Sequence, residues 1–192
     1  MKILKWALLG VLALSAAGFG QTTELGQNVF TSDQGEIILT IDAALAVRKL
    51  DSPYVMFMAY MIVRGGQSYI VHRDDVTMNY NGQEYKMPSL KEWRDKYNGA
   101  QGDMTTYGRL GKETLVLSQL RDYDFPWDQD FFPILGRGPL PTDQGSMAGT
   151  VGFRTKLYFK NPGFKNGDQL VITVLDRKDP EVMGSCAVIL KK

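Results

Sequence analysis

The sequence predicts a mainly β domain, and two observations carry that prediction. Apolar residues alternate with polar ones over most of the chain after residue 36, and clusters of Gly, Asn, Asp and Pro interrupt the alternation at short intervals. A third observation sets the address: the chain opens with a short basic and apolar leader.

Taken in order, Lys2 and Lys5 precede an apolar run over residues 6–19, and small residues close it. That is the pattern of a secretory signal peptide, and the run is shorter than the roughly 17–25 apolar residues of a membrane-spanning helix. Small residues three and one positions before the cut fit cleavage after Ala17 or, preferably, after Gly20. No cysteine stands near the cut, so the lipid-anchored pattern is absent. Residues 21–35 are polar with little periodicity and read as an N-terminal arm, leaving residues 36–192 as a single β-sandwich domain.

Residues 37–47 alternate with period two, Ile37, Leu39, Ile41, Ala43, Leu45 and Val47 against Thr40, Asp42 and Arg48, which predicts one long strand. After a turn at 51–53, residues 54–63 are apolar on both faces, as in a central strand covered on both sides. Gly65-Gly66 leads to a short strand at 68–72. Asn81-Gly82 then closes a hairpin in which Met78 faces Tyr85, Thr77 faces Lys86, Asn79 faces Glu84 and Tyr80 faces Gln83. Ser89 and Glu92 have capping-box spacing, and Leu90, Trp93 and Tyr97 mark one face of a short helix over 90–98. The reading continues with a loop over 99–111, a strand over 114–120 and an irregular segment over 122–145. A one-sided strand follows, with Val151, Phe153, Leu157 and Phe159 inward and Arg154, Lys156, Tyr158 and Lys160 outward, and strands at 170–175 and 186–190 close the domain. About nine strands and one helix, with turns this frequent, select an immunoglobulin-like β-sandwich. The competing architecture is a small outer-membrane β-barrel, whose strands need about 9–11 residues each, longer than several of these.

Charge narrows the partners. The chain carries 22 basic and 21 acidic side chains, and loss of Lys2 and Lys5 with the leader leaves one more acid than base. No basic excess exists to offset a phosphate backbone, and no polybasic run suggests a lipid surface, so the sequence predicts no nucleic-acid partner and no stable membrane insertion after cleavage. Cys186, the single cysteine, excludes an internal disulfide and reads as a buried small hydrophobe.

Candidate chemistry is sparse. His72 is the single histidine, so any Ser-His-Asp device must use it, yet no serine stands in a nucleophile-elbow context and a multi-histidine zinc site is excluded. Met56 and Met58 share a strand face that Met61 does not, which favours core packing over a copper site. The most suggestive stretch is 122–132, where Asp122, Asp124, Asp128 and Asp130 interleave with Tyr123, Phe125, Trp127, Phe131 and Phe132. Tyr123, Trp127 and Phe131 could stack on sugar rings while Asp122, Asp124, Asp128 and Asp130 accept hydroxyl hydrogen bonds. The same carboxylates could serve glycoside hydrolysis or hold Ca²⁺, although the spacing matches no EF-hand loop. Without a specific catalytic or cofactor motif, the expectation is an exported, periplasmic or secreted, non-catalytic β-sandwich that uses no cofactor and binds a protein or glycan partner. A carbohydrate-active enzyme and a calcium module are the alternatives.

Overall fold

The computed structural model describes residues 21–126, 129–134 and 141–192; the leader expected at residues 1–20 lies outside them. Five strands, β1 (Thr22–Gly26), β2 (Val29–Ser32), β3 (Ile37–Asp42), β4 (Tyr54–Val63) and β9 (Phe153–Lys160), form one antiparallel sheet in that spatial order. A second sheet runs β11 (Met183–Ile189), β10 (Gln169–Leu175), β6 (Val76–Tyr80), β7 (Gln83–Lys86), and a two-stranded ribbon pairs β5 (Ser68–His72) with β8 (Gln144–Ala148). The two larger sheets pack in a sandwich-like arrangement, and none of the sheets closes into the barrel held as the competing architecture. Among the described residues no helix is long and apolar enough to cross a membrane.

Register explains the core. Phe57 faces Leu157 and Leu39 faces Met61, so the inner face of the five-stranded sheet is apolar and fully buried. Val76, Met78, Ile172, Val174, Cys186 and Val188 supply the buried face of the second sheet. Strand β11 crosses β2 and β3, and at that crossing a side chain on Gly184 would strike the Ile37 carbonyl. All ten residues of β4 are buried, Met56, Met58 and Met61 among them. The hairpin of β6 and β7 has the expected register, with Asn81 and Gly82 both at positive φ as a type I′ turn requires.

Several elements differ from the sequence reading, each for a physical reason. There are eleven strands in place of nine among the described residues, and residues 21–35, expected as an arm, supply β1 and β2. The long strand over 37–47 ends at Asp42, whose Oδ1 accepts the Ala44 N–H at 2.8 Å and turns the chain into helix α1 (Ala44–Arg48). That helix is buried over Ala44–Val47, so its apolar sequence mimics strand alternation. The expected helix is α2 (Leu90–Lys96), capped by Ser89 Oγ on the Glu92 N–H at 3.1 Å. It is not the sole helix: the loop over 99–111 is α3 (Ala100–Leu110) and the strand over 114–120 is α4 (Lys112–Gln119). Gly102, Thr105, Thr106 and Gly108 give α3 poor intrinsic propensity. Asp103 and Tyr107, one turn apart, fix it instead by facing the sheet. Gly111, at φ +63°, makes the break between α3 and α4. Strand β9 is covered on both faces, because the helices together with Asp130 and Phe132 bring acids and aromatics over Lys156 and Tyr158.

The Gly184 crossing generates a test. Gly184→Ala should lower stability by about 1–3 kcal/mol, the usual effect of forcing atoms into a close-packed contact, read as a fall in the urea midpoint without a change in slope.

Candidate functional site

The described residues of the 122–132 stretch divide between surface and interior. Asp122 and Asp124 are exposed and Tyr123 is half-buried. Asp124 is tied through its backbone, donating to the Thr150 carbonyl at 2.9 Å and accepting from Gly152 N at 2.9 Å. Phe125 turns inward, edge-on to Tyr60 at 5.4 Å. Trp127 and Asp128 lie outside the described residues. Asp130 is buried, its Oδ1 accepting the Phe132 N–H at 3.2 Å while its Oδ2 pairs with Lys156 Nζ. Phe131 has no exposed surface and packs on Phe153, and Phe132 sits between Trp93 and Tyr158. The stretch therefore splits: Asp130 and Phe131 belong to the interior, with no ring face or carboxylate offered to a ligand, while Asp122 and Asp124 stay on the surface. Among the described residues no group of three or more His, Cys, Asp or Glu side chains comes together in a metal-holding arrangement.

A polar layer lies between the five-stranded sheet and the helices. Asp103 of α3 accepts from Lys49 Nζ at 2.5 Å, Tyr97 at 2.6 Å and Tyr158 at 3.0 Å. Arg154 pairs with Glu113 of α4, and Tyr60 and Tyr107 share a hydroxyl contact at 3.3 Å. Burial pushes the Tyr60 phenol up to about 12 and raises Tyr97, Tyr107 and Tyr158 as well, so these rings stay neutral, and Tyr97 and Tyr158 donate to Asp103. Asp42 is also raised, by burial, against the opposing pull of the Ala44 N–H, the Tyr107 hydroxyl and the Lys112 charge. His72 ends β5, its Nδ1 accepting the Asp74 N–H at 3.1 Å and its Nε2 lying 3.4 Å from Asp143 Oδ2.

The opposite side of the molecule is less covered. Register puts Asn79, Val171 and Ala187 in one row on the outer face of the β11-β10-β6-β7 sheet, with Gln169 and Ile189 in the next. These residues are exposed or half-buried, and Thr22 and Glu24 of β1 stand beside them as a wall. Together they bound a trough of about 650 Å³. Thr22 Oγ1 accepts the Ala187 N–H at 3.0 Å, so one edge group of β11 is satisfied by a side chain and not by a neighbouring strand. The sequence carries a weak signal for this surface: Val171 and Ile189 are apolar at positions that alternation assigns to solvent.

With this geometry in view, comparison with family models, with curated proteins and with solved structures finds no match.

Two outcomes follow from the buried groups. Asp42 has a raised folded-state value, so its contribution to stability is full below its ordinary 3.8 and is lost as pH rises through the raised value. Asp42→Asn should therefore gain stability relative to the parent as pH goes from about 4 to about 8, a trend that urea melts across that range will measure. Cys186, buried and pushed up to about 12, should not react with a thiol reagent near pH 8 in the native protein and should react fully once unfolded.

Proposed function

We propose that this chain is an exported, non-catalytic β-sandwich protein that binds a protein partner by receiving an extended segment in the trough between β1 and the outer sheet face. The observation that carries the reading is the trough itself. Its volume, about 650 Å³, suits a ligand-burying site, and its lining mixes apolar side chains with Asn79, Asn81, Gln169 and Glu24 around them. It lies along the edges of two sheets, β1 and β11, where an incoming strand can satisfy main-chain groups. A protein is preferred to a glycan because Phe30, the aromatic residue of the lining, is buried and offers no ring face to a sugar. Two-layer frames that bind partners at their edges are the habit of immunoglobulin-like domains, and that comparison rests on the layer arrangement alone.

Export rests on the leader. Strand β1 begins at Thr22, just past the preferred cut after Gly20, and Thr22 already holds β11, so cleavage there leaves the sandwich complete. The buried acids and phenols have a structural use, joining helices to sheet, which favours binding over catalysis.

The test places a photo-crosslinking residue at Val171 or at Ile189 and, as control, at the exposed Lys91 of α2. The trough positions should capture one protein that Lys91 does not, and that protein, once purified, should bind Val171→Glu at least about tenfold more weakly than the parent. Equal affinity for parent and variant, or identical adducts from Lys91, would contradict the reading. N-terminal sequencing of the exported product should begin at Gln21.

A further inference from the structure

A second concavity, separate from the trough, is built from three distant parts of the chain. Arg48 comes from the last turn of α1, Arg109 and Lys112 flank the break between α3 and α4, and Lys191 and Lys192 follow β11. They line a cleft of about 530 Å³ with no acidic side chain in its lining. Across a chain whose bases and acids nearly cancel, five cations around one cleft are a local excess and not a reflection of composition.

The cleft is held in shape by the fold. Asn28, buried in the β1-β2 turn, donates from Nδ2 to the Lys191 carbonyl at 3.0 Å and accepts the Lys191 N–H on Oδ1 at 3.3 Å. The Lys192 N–H donates to Asn166 Oδ1 at 2.7 Å, so the backbone carrying both lysines is fixed on either side. Lys112 is the first residue of α4, whose N-terminal N–H groups have no side-chain cap and meet the carbonyl end of α3 at Gly111.

Internal compensation of these cations is partial. Among the described residues no carboxylate side chain lies within ion-pairing distance of Arg48, Arg109, Lys112 or Lys192; the Lys112 charge acts on buried Asp42 from farther away, Arg48 and Arg109 sit at the carbonyl ends of α1 and α3, and Lys191 pairs with Glu24 at 3.7 Å. Five cations gathered with little internal compensation raise the local positive potential and draw an anion from solution. Two guanidinium forks and three ammonium groups around a compact hollow match the tetrahedral oxygens of phosphate, which accept from Arg in pairs and from Lys singly. The hollow is bordered by α1, the α3-α4 break and the chain after β11, and cations drawn from three places around one small hollow suit a compact anion better than an extended acidic peptide.

We propose that this cleft is a binding site for a compact phosphorylated ligand, a sugar phosphate or the phosphorylated headgroup of a lipid, held chiefly by Arg48, Arg109, Lys112 and Lys191. The site stands independently of the trough: a partner segment in the trough and a phosphate in the cleft use different residues.

Calorimetric titration of the full mature chain at low salt tests it, with pyrophosphate and glucose 1-phosphate as soluble probes and phosphatidylglycerol vesicles as the membrane probe. Saturable binding of either soluble probe, weakened at least about tenfold in Arg109→Gln/Lys112→Gln and unchanged in the exposed control Lys91→Gln/Arg94→Gln, is the expected result. Binding to vesicles alone, with the same loss in the cleft variant, assigns the headgroup as the source of the phosphate. The independent pair Arg48→Gln/Lys191→Gln repeats the test from the other wall, should the first variant fold poorly. No saturable binding of any probe, equal losses in the α2 control, or a hexaglutamate peptide that binds as tightly as pyrophosphate would overturn the proposal.

Discussion

The helical side of this molecule depends on one buried carboxylate. Asp103 sits on α3 at 1% exposure, and three donors from separate elements, Lys49 after α1, Tyr97 after α2 and Tyr158 in β9, end on its two oxygens. A carboxylate in such a place is tolerated only because it is paired and fully hydrogen-bonded, and removing a partner leaves a charge uncompensated. Asp103 thereby converts a helix of weak intrinsic propensity into a fixed layer over the sheet. Lys156 with Asp130 and Arg154 with Glu113 place further ion pairs along β9, so one strand anchors α3, α4 and Asp130 through three successive outward residues. The covering layer is what makes β9 two-sided and buries all of β4.

That dependence explains what could be read in the sequence. The β6-β7 hairpin was legible because turn chemistry and apolar register agree, and α2 because its cap is local, Ser89 to Glu92. Helix α3 was not legible, since its stability comes from Asp103 meeting residues 54 and 55 positions away in the chain, Lys49 and Tyr158, and no local pattern records that. In α4, Leu115, Val116 and Leu117 resemble a short strand, and the left-handed Gly111 that starts the helix looks like any loop glycine. Lys156 and Tyr158 read as solvent-facing for the same reason: their partners arrive from elsewhere. The 122–132 stretch showed its aromatics and acids plainly, but alternation could not say that Asp130 and Phe131 turn inward while Asp122 and Asp124 stay outside.

The same logic applies to the surface. A scan of the chain for basic runs finds none, yet α1, the α3-α4 break and the chain end bring Arg48, Arg109, Lys112 and Lys191 to one cleft. Both concavities flank the β1-β2 ribbon, and the Glu24 contact to Lys191 lies between them, Glu24 lining the trough and Lys191 the cleft. The part of the chain read from sequence as a featureless arm is thus the wall that the two candidate sites share. The two proposed sites lie where the sandwich is left open, the trough away from the helices and the cleft at the edge of the helical layer.

Native-state hydrogen exchange on Asp103→Leu measures that division most directly. Amides of α3 and α4 should lose protection by several orders of magnitude while those of β6, β10 and β11 keep theirs, because the carboxylate joins the helices to the sheet and not the sheets to each other. Uniform loss across both sheets, or unchanged protection in α3, would contradict it.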